Sequence, residues 1–324
     1  MSTRLAVLEA LRSAGARGMS GETLAGILGV SRVAVGKHVK TLREEGYVID
    51  AEAGTGYLLV EIPDAPLPAE IAPLLVTGLF CALSGGGETG STNDDARALA
   101  RSGAAEGSVV LASAQTAGRG RLGRTWESPR GGAYFSAVLR PSVAPAQVAP
   151  LSLVVGLGIA RGLATLGADA RLKWPNDVLL EGGKVAGVLL EMTAEADAVE
   201  WVVAGVGLNV TRPAPDTSGS ERAAYLSDSV PGARIAPAVA AVLDAVAFTY
   251  ATWRESGFVA LRSEYDQRSS LTGAEVTVSD RDGAVRASGV VLGVDDEGRL
   301  LLATAEGIQA VVAGEVTLRP PRAR

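Results

Sequence analysis

A stretch rich in arginine and glycine, GRGRLGRTW at residues 118–126, is the first candidate for chemistry in this chain of 324 residues. Its glycines fit G-x-G-x-x-G, the spacing of a dinucleotide-binding turn. That turn leads from a strand directly into a helix, whereas the residues after Gly123 indicate loop and then strand. The dinucleotide interpretation therefore fails. What remains is a glycine loop with three guanidinium groups, which bind phosphate and carboxylate bidentately; a solvated or RNA-binding loop is the alternative.

A second glycine-rich stretch, GGGETGST at residues 85–92, has the glycine spacing of a P-loop. A P-loop needs lysine next, to reach the β- and γ-phosphates, and this chain has Ser91 there. Ser91, Thr92 and Asn93 instead precede a helical stretch. They favour either a plain helix N-cap or the polar end of a small-ligand site, because a helix N-terminus offers free N–H groups.

The segment KWPNDVLLEGGKVAGVLLE, residues 173–191, predicts two strands joined by a turn at 181–183, with Lys184 at the start of the second. A lysine that enters a strand is usually exposed, and a tryptophan before proline often only packs. Further on, GVGLNV places Asn209 after a Gly-x-Gly strand end, where the backbone can approach a ligand closely. The polar residues at the end of the first strand are Lys173, Asn176 and Asp177.

The first 62 residues predict a winged helix-turn-helix. Three amphipathic stretches follow one another, with Ser20 and Ser31 as N-caps of the second and third helices and Gly29 in the turn between them. Two short strands about a glycine-rich turn, in YVIDAEAGTGYLLV, complete the wing.

The third of these helices is basic up to Glu44, which suits a recognition helix that passes phosphates to enter a major groove. A protein-binding winged helix is the alternative. Specific DNA binding would usually need a dimer on two half-sites. The candidate DNA-contacting residues are Ser31, Arg32, Lys37, His38 and Lys40.

The composition excludes several classes of site. Hydrophobic residues make up 47% of the chain and charged residues 20%, which is typical of a globular protein. A single cysteine, Cys81, excludes an internal disulfide, and a single histidine, His38, excludes a histidine-based triad or multi-histidine metal site elsewhere. The net charge of −6 argues against wholesale coating by nucleic acid.

The sequence also predicts a cellular location and a set of domain boundaries. We expect a cytoplasmic protein without a membrane partner, because no signal peptide is apparent and LSLVVGLGIARGLATLG suits a buried core helix better than a membrane span. The proline-rich EIPDAPLPAEIAP predicts a linker. We predict an α+β protein with domains at 1–62, 68–270 and 271–324, the last a small SH3-like β-barrel with turns at RDG and DEG.

Taken together, STN, QTAGRGRLGRTW, KWPND, GGKVAGVLLE, GVGLNV and the terminal GEVTLR resemble the biotin protein ligases. With the helix-turn-helix in front, the chain is similar to the bifunctional form, ligase and biotin operon repressor in one. The resemblance implies a class II synthetase-like ligase domain that uses biotin, ATP and Mg²⁺ to form biotinyl-5′-AMP. The biotinyl group then passes to a lysine of a biotin carboxyl carrier domain. It also implies operator binding by a homodimer that the ligand promotes.

The resemblance further implies residue roles. Lys184 and Arg121 are the expected catalytic residues, with Lys173 a weaker candidate, and Asp177 is expected to activate the acceptor lysine. The expected biotin-binding residues are Ser91, Thr92, Asn93, Gln115, Arg119, Gly120, Arg121 and Lys184; the expected adenylate-binding residues are Arg124, Trp126, Asn209 and Arg319.

No histidine base is needed for such a reaction, because a carboxylate is already a nucleophile and two anions only have to be aligned and neutralised. The departures from the family pattern are the glycine-rich CALSGGGETG before STN, Leu122, where a basic or polar residue is common, and Gly36 inside the recognition helix. Three alternatives stay open: a biotin-sensing repressor without ligase activity, a lipoate-type acyl ligase, and a winged-helix adaptor without enzymatic activity.

Overall fold

The structure, a computed structural model, describes residues 3–52, 56–195, 197–213, 223–280 and 282–318. It contains two compact units, Met1–Asp64 and Ala65–Arg324. The division falls inside the proline-rich segment that the sequence predicts as a linker. The second half of that segment is not linker, however, because a short helix begins at Pro68 and buries Ile71.

The first unit is the predicted helix-turn-helix with a two-stranded wing. The Ser20 hydroxyl accepts a hydrogen bond from Thr23 N at 3.0 Å, and that of Ser31 accepts one from Ala34 N at 3.1 Å, so both predicted N-caps are confirmed. Apolar residues of each helix meet in one small core. Its elements are α1 (Thr3–Ala14), α2 (Gly21–Leu28), α3 (Arg32–Glu44), β1 (Val48–Glu52) and β2 (Gly56–Glu61).

The second unit is built on a seven-stranded sheet in the order β3-β5-β7-β11-β10-β9-β8. The β3–β5 pair is parallel and the other pairs are antiparallel. A separate short pair, β4 and β6, lies beside it. The strands are β3 (Ala82–Gly85), β4 (Glu88–Thr89), β5 (Ser108–Ala112), β6 (Ala114–Gln115), β7 (Gly132–Leu139), β8 (Arg171–Lys173), β9 (Asp177–Leu180), β10 (Gly183–Glu195) and β11 (Ala198–Asn209).

Helices cover both faces of this sheet. Alternate strand residues point to opposite faces, so Val202 packs in the main core with α6 and α8, while Trp201 packs in a smaller cluster under α5. Both long helices, α6 and α8, are apolar enough to cross a membrane, yet most of each is buried in the protein. The helices are α4 (Pro68–Ile71), α5 (Thr92–Arg101), α6 (Leu151–Thr165), α7 (Leu226–Ser229), α8 (Ile235–Ser256) and α9 (Val259–Arg268).

The first of the two strands predicted in residues 173–191 is wrong as a single strand. It forms a hairpin in which β8 and β9 pair with Lys173 opposite Asp177. The chain reverses through Trp174 and Pro175, where proline has no N–H to donate to a ladder. The turn predicted at 181–183 is confirmed: Glu181 and Gly182 both have positive φ, 49° and 77°, as a tight hairpin turn requires.

The C-terminal strands form the expected small β domain, a five-stranded antiparallel sheet in the order β15-β14-β13-β12-β16. Its inner side chains belong to the same apolar core as α6, α8 and α9. The boundaries at 62, 68 and 271 remain predictions. The strands are β12 (Glu275–Ser279), β13 (Val285–Val294), β14 (Leu300–Thr304), β15 (Gly307–Val311) and β16 (Glu315–Leu318).

Candidate active site

A cavity of about 750 Å³ opens over the sheet where β10 and β11 meet the loops before and after them. Its volume is in the range of small-molecule sites, and residues 314–317 of the C-terminal sheet form part of its wall. Arg319 lies outside the described residues. The other predicted ligase residues all line this cavity: Ser91, Thr92, Asn93, Gln115, Arg119, Gly120, Arg121, Arg124, Trp126, Lys173, Asp177, Lys184 and Asn209.

One end of the cavity is polar and buried around the start of α5. Ser91 is the N-cap residue, as one of the two interpretations predicts, but its side chain makes no capping hydrogen bond. Thr92 donates through its backbone N and its hydroxyl to Gln115 Oε1, at 2.9 and 3.1 Å. The fully buried hydroxyl of Ser136 lies 2.8 Å from Thr92 Oγ1 and 2.6 Å from Asn93 Oδ1. Sequence reasoning missed Ser136, because it lies within an apolar strand.

The indole of Trp126 packs against two glycines that face each other across the β10–β11 ladder. Gly187 pairs with Gly207 in register. A Cβ on Gly207 would lie 2.4 Å from Trp126 Nε1, and one on Gly187 would lie 2.9 Å from the ring. Both positions therefore exclude a side chain, and the pair serves as a seat for the indole.

Lys184 lies beside this indole and is held by Asp177. Its Nζ is 2.7 Å from Asp177 Oδ1 and 4.9 Å from the centre of the Trp126 ring. The tight turn between β9 and β10 brings the two charged residues together. Asn209 donates through Nδ2 to the backbone oxygen of Lys184 at 3.2 Å, which ties the end of β11 to the same point.

The arginine loop, residues 118–126, closes on itself. Gly120 N donates to Arg124 O at 2.8 Å, and Trp126 N donates to Gly118 O at 3.0 Å. At its tip, Leu122 and Gly123 have φ of 58° and 78°, the left-handed region that costs leucine about 1 kcal/mol. The predicted loop thus has a defined, hairpin-like conformation.

The three guanidinium groups of this loop have different partners. Arg119 binds Asp94 through both terminal nitrogens, at 2.6 and 2.8 Å, and Arg124 pairs with Glu315 of the C-terminal sheet. Arg121 Nη1 donates to Asn176 Oδ1 at 3.3 Å and has no ion pair within the described part of the chain. Burial lowers the pKa of Arg121, but a guanidinium remains charged in proteins.

The tryptophan of KWPND also has a specific role in the fold. Trp174 is buried, and its indole N–H donates to Gly298 O at 3.0 Å, in the turn between β13 and β14. Together with the Arg124–Glu315 pair, this bond fixes the C-terminal sheet against the cavity wall. No local pattern indicated that Gly298 accepts from Trp174 or that Glu315 pairs with Arg124.

Comparison with known proteins identifies the chain. Residues 3–58 match an HTH domain, residues 88–209 the biotin/lipoate A/B protein ligase family, and residues 272–319 the biotin protein ligase C terminal domain. The bifunctional ligase/repressor BirA of Bacillus subtilis is 34% identical over 96% of this chain and 97% of its own length. That of Escherichia coli is 32% identical over 93% and 92%.

The chain belongs to the bifunctional biotin ligase/repressor family. A biotin protein ligase from Aquifex aeolicus, solved with biotin and ATP, superposes with a TM-score of 0.63 at 29% identity. It covers 75% of this chain and all of that protein. The likeness in fold therefore extends over three quarters of this chain.

The repressor half of the family appears here as the first unit, with α3 in the position of a recognition helix. Arg32, Lys37 and Lys40 are exposed, His38 is partly buried, and Ser31 caps the helix. Arg43 is different, because its guanidinium donates to Ile49 O and so braces the wing. The basic face of α3 is therefore available to a ligand outside the unit.

Proposed function

We propose that this chain is an ATP-dependent biotin ligase that biotinylates a carrier domain and represses transcription in response to biotin. In the first step a biotin carboxylate oxygen attacks the α-phosphorus of ATP, the bond to the β-phosphate breaks, and pyrophosphate leaves. In the second, the neutral amine of an acceptor lysine attacks the acyl carbon of biotinyl-5′-AMP, AMP leaves, and an amide remains.

The polar end around Thr92 and Gln115 is the proposed site for the ring system of biotin, with Ser91, Asn93 and Gly120 beside it. The proposal is supported by the buried, mutually bonded side chains there, which suit a polar head group better than solvent. The valeryl chain would then extend along β10 toward Lys184.

Lys184 and Arg121 are the proposed catalytic cations. Two anions must approach each other in the first step, so fixed positive charge between them lowers the barrier. Lys184 is held by Asp177 and supported by the Trp126 indole before substrates arrive, which limits the reorganisation that the reaction needs. Trp126, Asn209, Arg124 and Arg319 are proposed for the adenylate.

Mg²⁺ enters this proposal as part of the ATP substrate, whose phosphate charge it neutralises. Magnesium usually retains several waters and uses phosphate oxygens with one or two carboxylates. In the transfer step, Asp177 is proposed to take the proton of the acceptor lysine.

The acceptor is proposed to be a biotin carboxyl carrier domain, and the DNA an operator that a ligand-promoted homodimer binds through α3. Ligand-driven dimerisation would be the two-state element that couples the two sites. ATP, carrier and operator share the cytoplasm, which is the proposed location. Sedimentation should show more dimer with biotin and ATP than without; a monomer under both conditions would contradict the regulatory half.

A single observation supports the ligase function most: one cavity joins a buried polar end, two cations and an indole on a glycine pair, in a chain that ligase/repressor relatives match over nearly its whole length. The test is the intact mass of a biotin carboxyl carrier domain after incubation with the protein, biotin and Mg·ATP. We expect one added biotinyl group, dependent on ATP, and lost or much slowed with Lys184→Ala.

A matched variant, Arg171→Ala, removes a cation of the same sheet that does not line the cavity, and it should biotinylate normally. No mass shift with any carrier despite biotin binding would contradict the ligase function and favour a biotin-sensing repressor. Faster transfer of lipoate than of biotin would favour a lipoate-type ligase instead.

A further inference from the structure

Two carboxylates, Asp94 and Glu191, grip the arginine loop from outside the cavity; we call them the carboxylate clamp. Asp94 lies in the first turn of α5 and accepts both terminal nitrogens of Arg119, at 2.6 and 2.8 Å. Glu191 lies on β10 and accepts from Arg119 Nη2 at 3.2 Å. Arg97 contacts both carboxylates, so the clamp is a closed set of two cations and two anions.

Glu191 also connects the loop to the polar end of the cavity. Its Oε2 accepts a hydrogen bond from Asn93 Nδ2 at 2.8 Å. The Asn93 amide in turn lies over Gly205, where a Cβ would be 2.0 Å from Oδ1. One carboxylate therefore fixes both a predicted biotin contact and the base of the loop.

In the carboxylate clamp, the terminal nitrogens of Arg119 are hydrogen-bonded to carboxylates. Because Nη1 and Nη2 both face Asp94 or Glu191, their hydrogen bonds anchor the loop. The loop contains three glycines, and glycine loses more conformational freedom on ordering than other residues. Because the clamp anchors the base of the loop, part of this conformational entropy is already lost before a ligand binds.

We propose that Asp94 and Glu191 are positioning residues that hold the arginine loop over the cavity through Arg119, and thereby set the affinity for biotin and not the rate of the chemistry. The proposal rests on the proposed ligase function, in which biotin enters this cavity. Neither carboxylate is assigned contact with the reacting atoms. When either is removed, part of the free energy of biotin binding is used to order the loop, and the affinity falls.

The charge state of the clamp is consistent with this role. The hydrogen bonds from Arg119 lower the pKa of Asp94 below its ordinary value, despite partial desolvation. The lowered pKa favours the ionised form of Asp94, which is the form that accepts both hydrogen bonds from Arg119.

The first test separates affinity from rate with Asp94→Asn and Glu191→Gln, which keep size and one acceptor oxygen but remove the charge. We expect each to raise the KM for biotin about tenfold, with kcat for pyrophosphate release within about twofold of wild type. The matched control is Asp95→Asn in the same helical turn. Asp95 accepts from the Thr89 hydroxyl at 2.6 Å and does not contact Arg119, so its KM should be unchanged.

The second test needs no substrate. Amide hydrogen exchange of Gly120 and Trp126, which donate the internal bonds of the loop, should be about tenfold faster in the Asp94 and Glu191 variants than in wild type or Asp95→Asn. Unchanged exchange, or a fall in kcat at constant KM, would overturn the clamp. Faster exchange in a chain whose wild type releases no pyrophosphate would retain the clamp and reject the ligase function.

Discussion

Two groups of basic residues, one on α3 and one in the cavity, differ in whether carboxylates pair with them. On α3, Arg32 and Lys37 are exposed and make no ion pair within the described part of the chain. In the cavity, Arg119, Arg124 and Lys184 each lie against a carboxylate. The first arrangement leaves the charges mobile and hydrated, and the second fixes them at defined positions.

The difference matches two kinds of anion. A DNA backbone is long and periodic, and affinity for it comes largely from counterions released when exposed cations meet phosphates. A small ligand with two reacting anionic groups needs a few cations at fixed positions, already oriented before the reaction. Carboxylate partners supply that orientation, so paired charges in the cavity are a means of positioning.

The comparison is tested most severely by Arg121, the loop cation whose terminal nitrogen meets an amide and not a carboxylate. Arg121→Ala should lower kcat/KM for biotinyl-5′-AMP formation about 100-fold, because it removes a charge that we propose stabilises the developing negative charge. Arg32→Ala should leave this rate within about twofold. The rate of pyrophosphate release measures the effect of each variant. Equal effects at Arg121 and Arg32 would contradict the distinction between cavity and α3 cations.

A second variant removes no charge but displaces the indole beside Lys184. Gly207→Ala places a Cβ 2.4 Å from Trp126 Nε1, so the ring must move from its seat. We expect the KM for ATP to rise at least tenfold. The control is Gly156→Ala in α6, where the new Cβ would meet Leu172 at an ordinary 3.8 Å. An unchanged KM in Gly207→Ala would show that the seat has no part in nucleotide binding.

Salt should separate the two regions directly. The logarithm of DNA affinity should fall steeply with the logarithm of salt concentration, and Lys37→Ala should reduce that slope by about one, with a several-fold loss of affinity. Biotin affinity, measured by calorimetry over the same salt range, should change much less. Fluorescence anisotropy with a duplex selected by the wild type measures the slope; a slope that Lys37→Ala leaves intact would remove α3 as the phosphate-binding face.

The smallest expected effect concerns the stability of α3. Gly36→Ala should stabilise the first unit by about 1 kcal/mol, because alanine favours helix and the new Cβ would lie 3.8 Å from Tyr57 Oη, an ordinary contact. Gly29→Ala should destabilise it by a similar amount, since Gly29 has a φ of 64°. Chemical unfolding followed by circular dichroism measures both, and destabilisation by Gly36→Ala would mean that the helix face needs the glycine.

Local patterns were sufficient for much of the fold. Ser20, Ser31 and Gly29 act within a few residues of their own position, so the sequence predicted the helix-turn-helix correctly. The same holds for the turn at Glu181 and Gly182. The hairpin at Trp174 was missed because apolar residues on both sides of Pro175 resemble one continuous strand.

The resemblance to the biotin protein ligases named Lys184, Trp126 and Gln115, which line one cavity in the structure, and their roles there stay predictions. The contacts between site residues were not predicted. Register decides that Gly187 lies opposite Gly207, and register is a property of paired strands. The contacts of Arg119 with Asp94 and Glu191 join three separate segments, and a single sequence contains no signal for them.

The position of Trp126 on the glycine pair has a consequence for the fluorescence of the protein as well as for binding. The chain has four tryptophans, and Trp174, Trp201 and Trp253 are each 5% exposed or less. Trp126 lies on bare glycine backbone in the cavity wall, with a lysine ammonium beside its ring. We therefore expect its emission to shift when the cavity fills, and Trp126→Phe to remove most of the change, since Trp174 also lines the cavity but is buried. The intrinsic fluorescence of Trp126, a residue of the cavity wall, therefore reports whether the cavity is occupied.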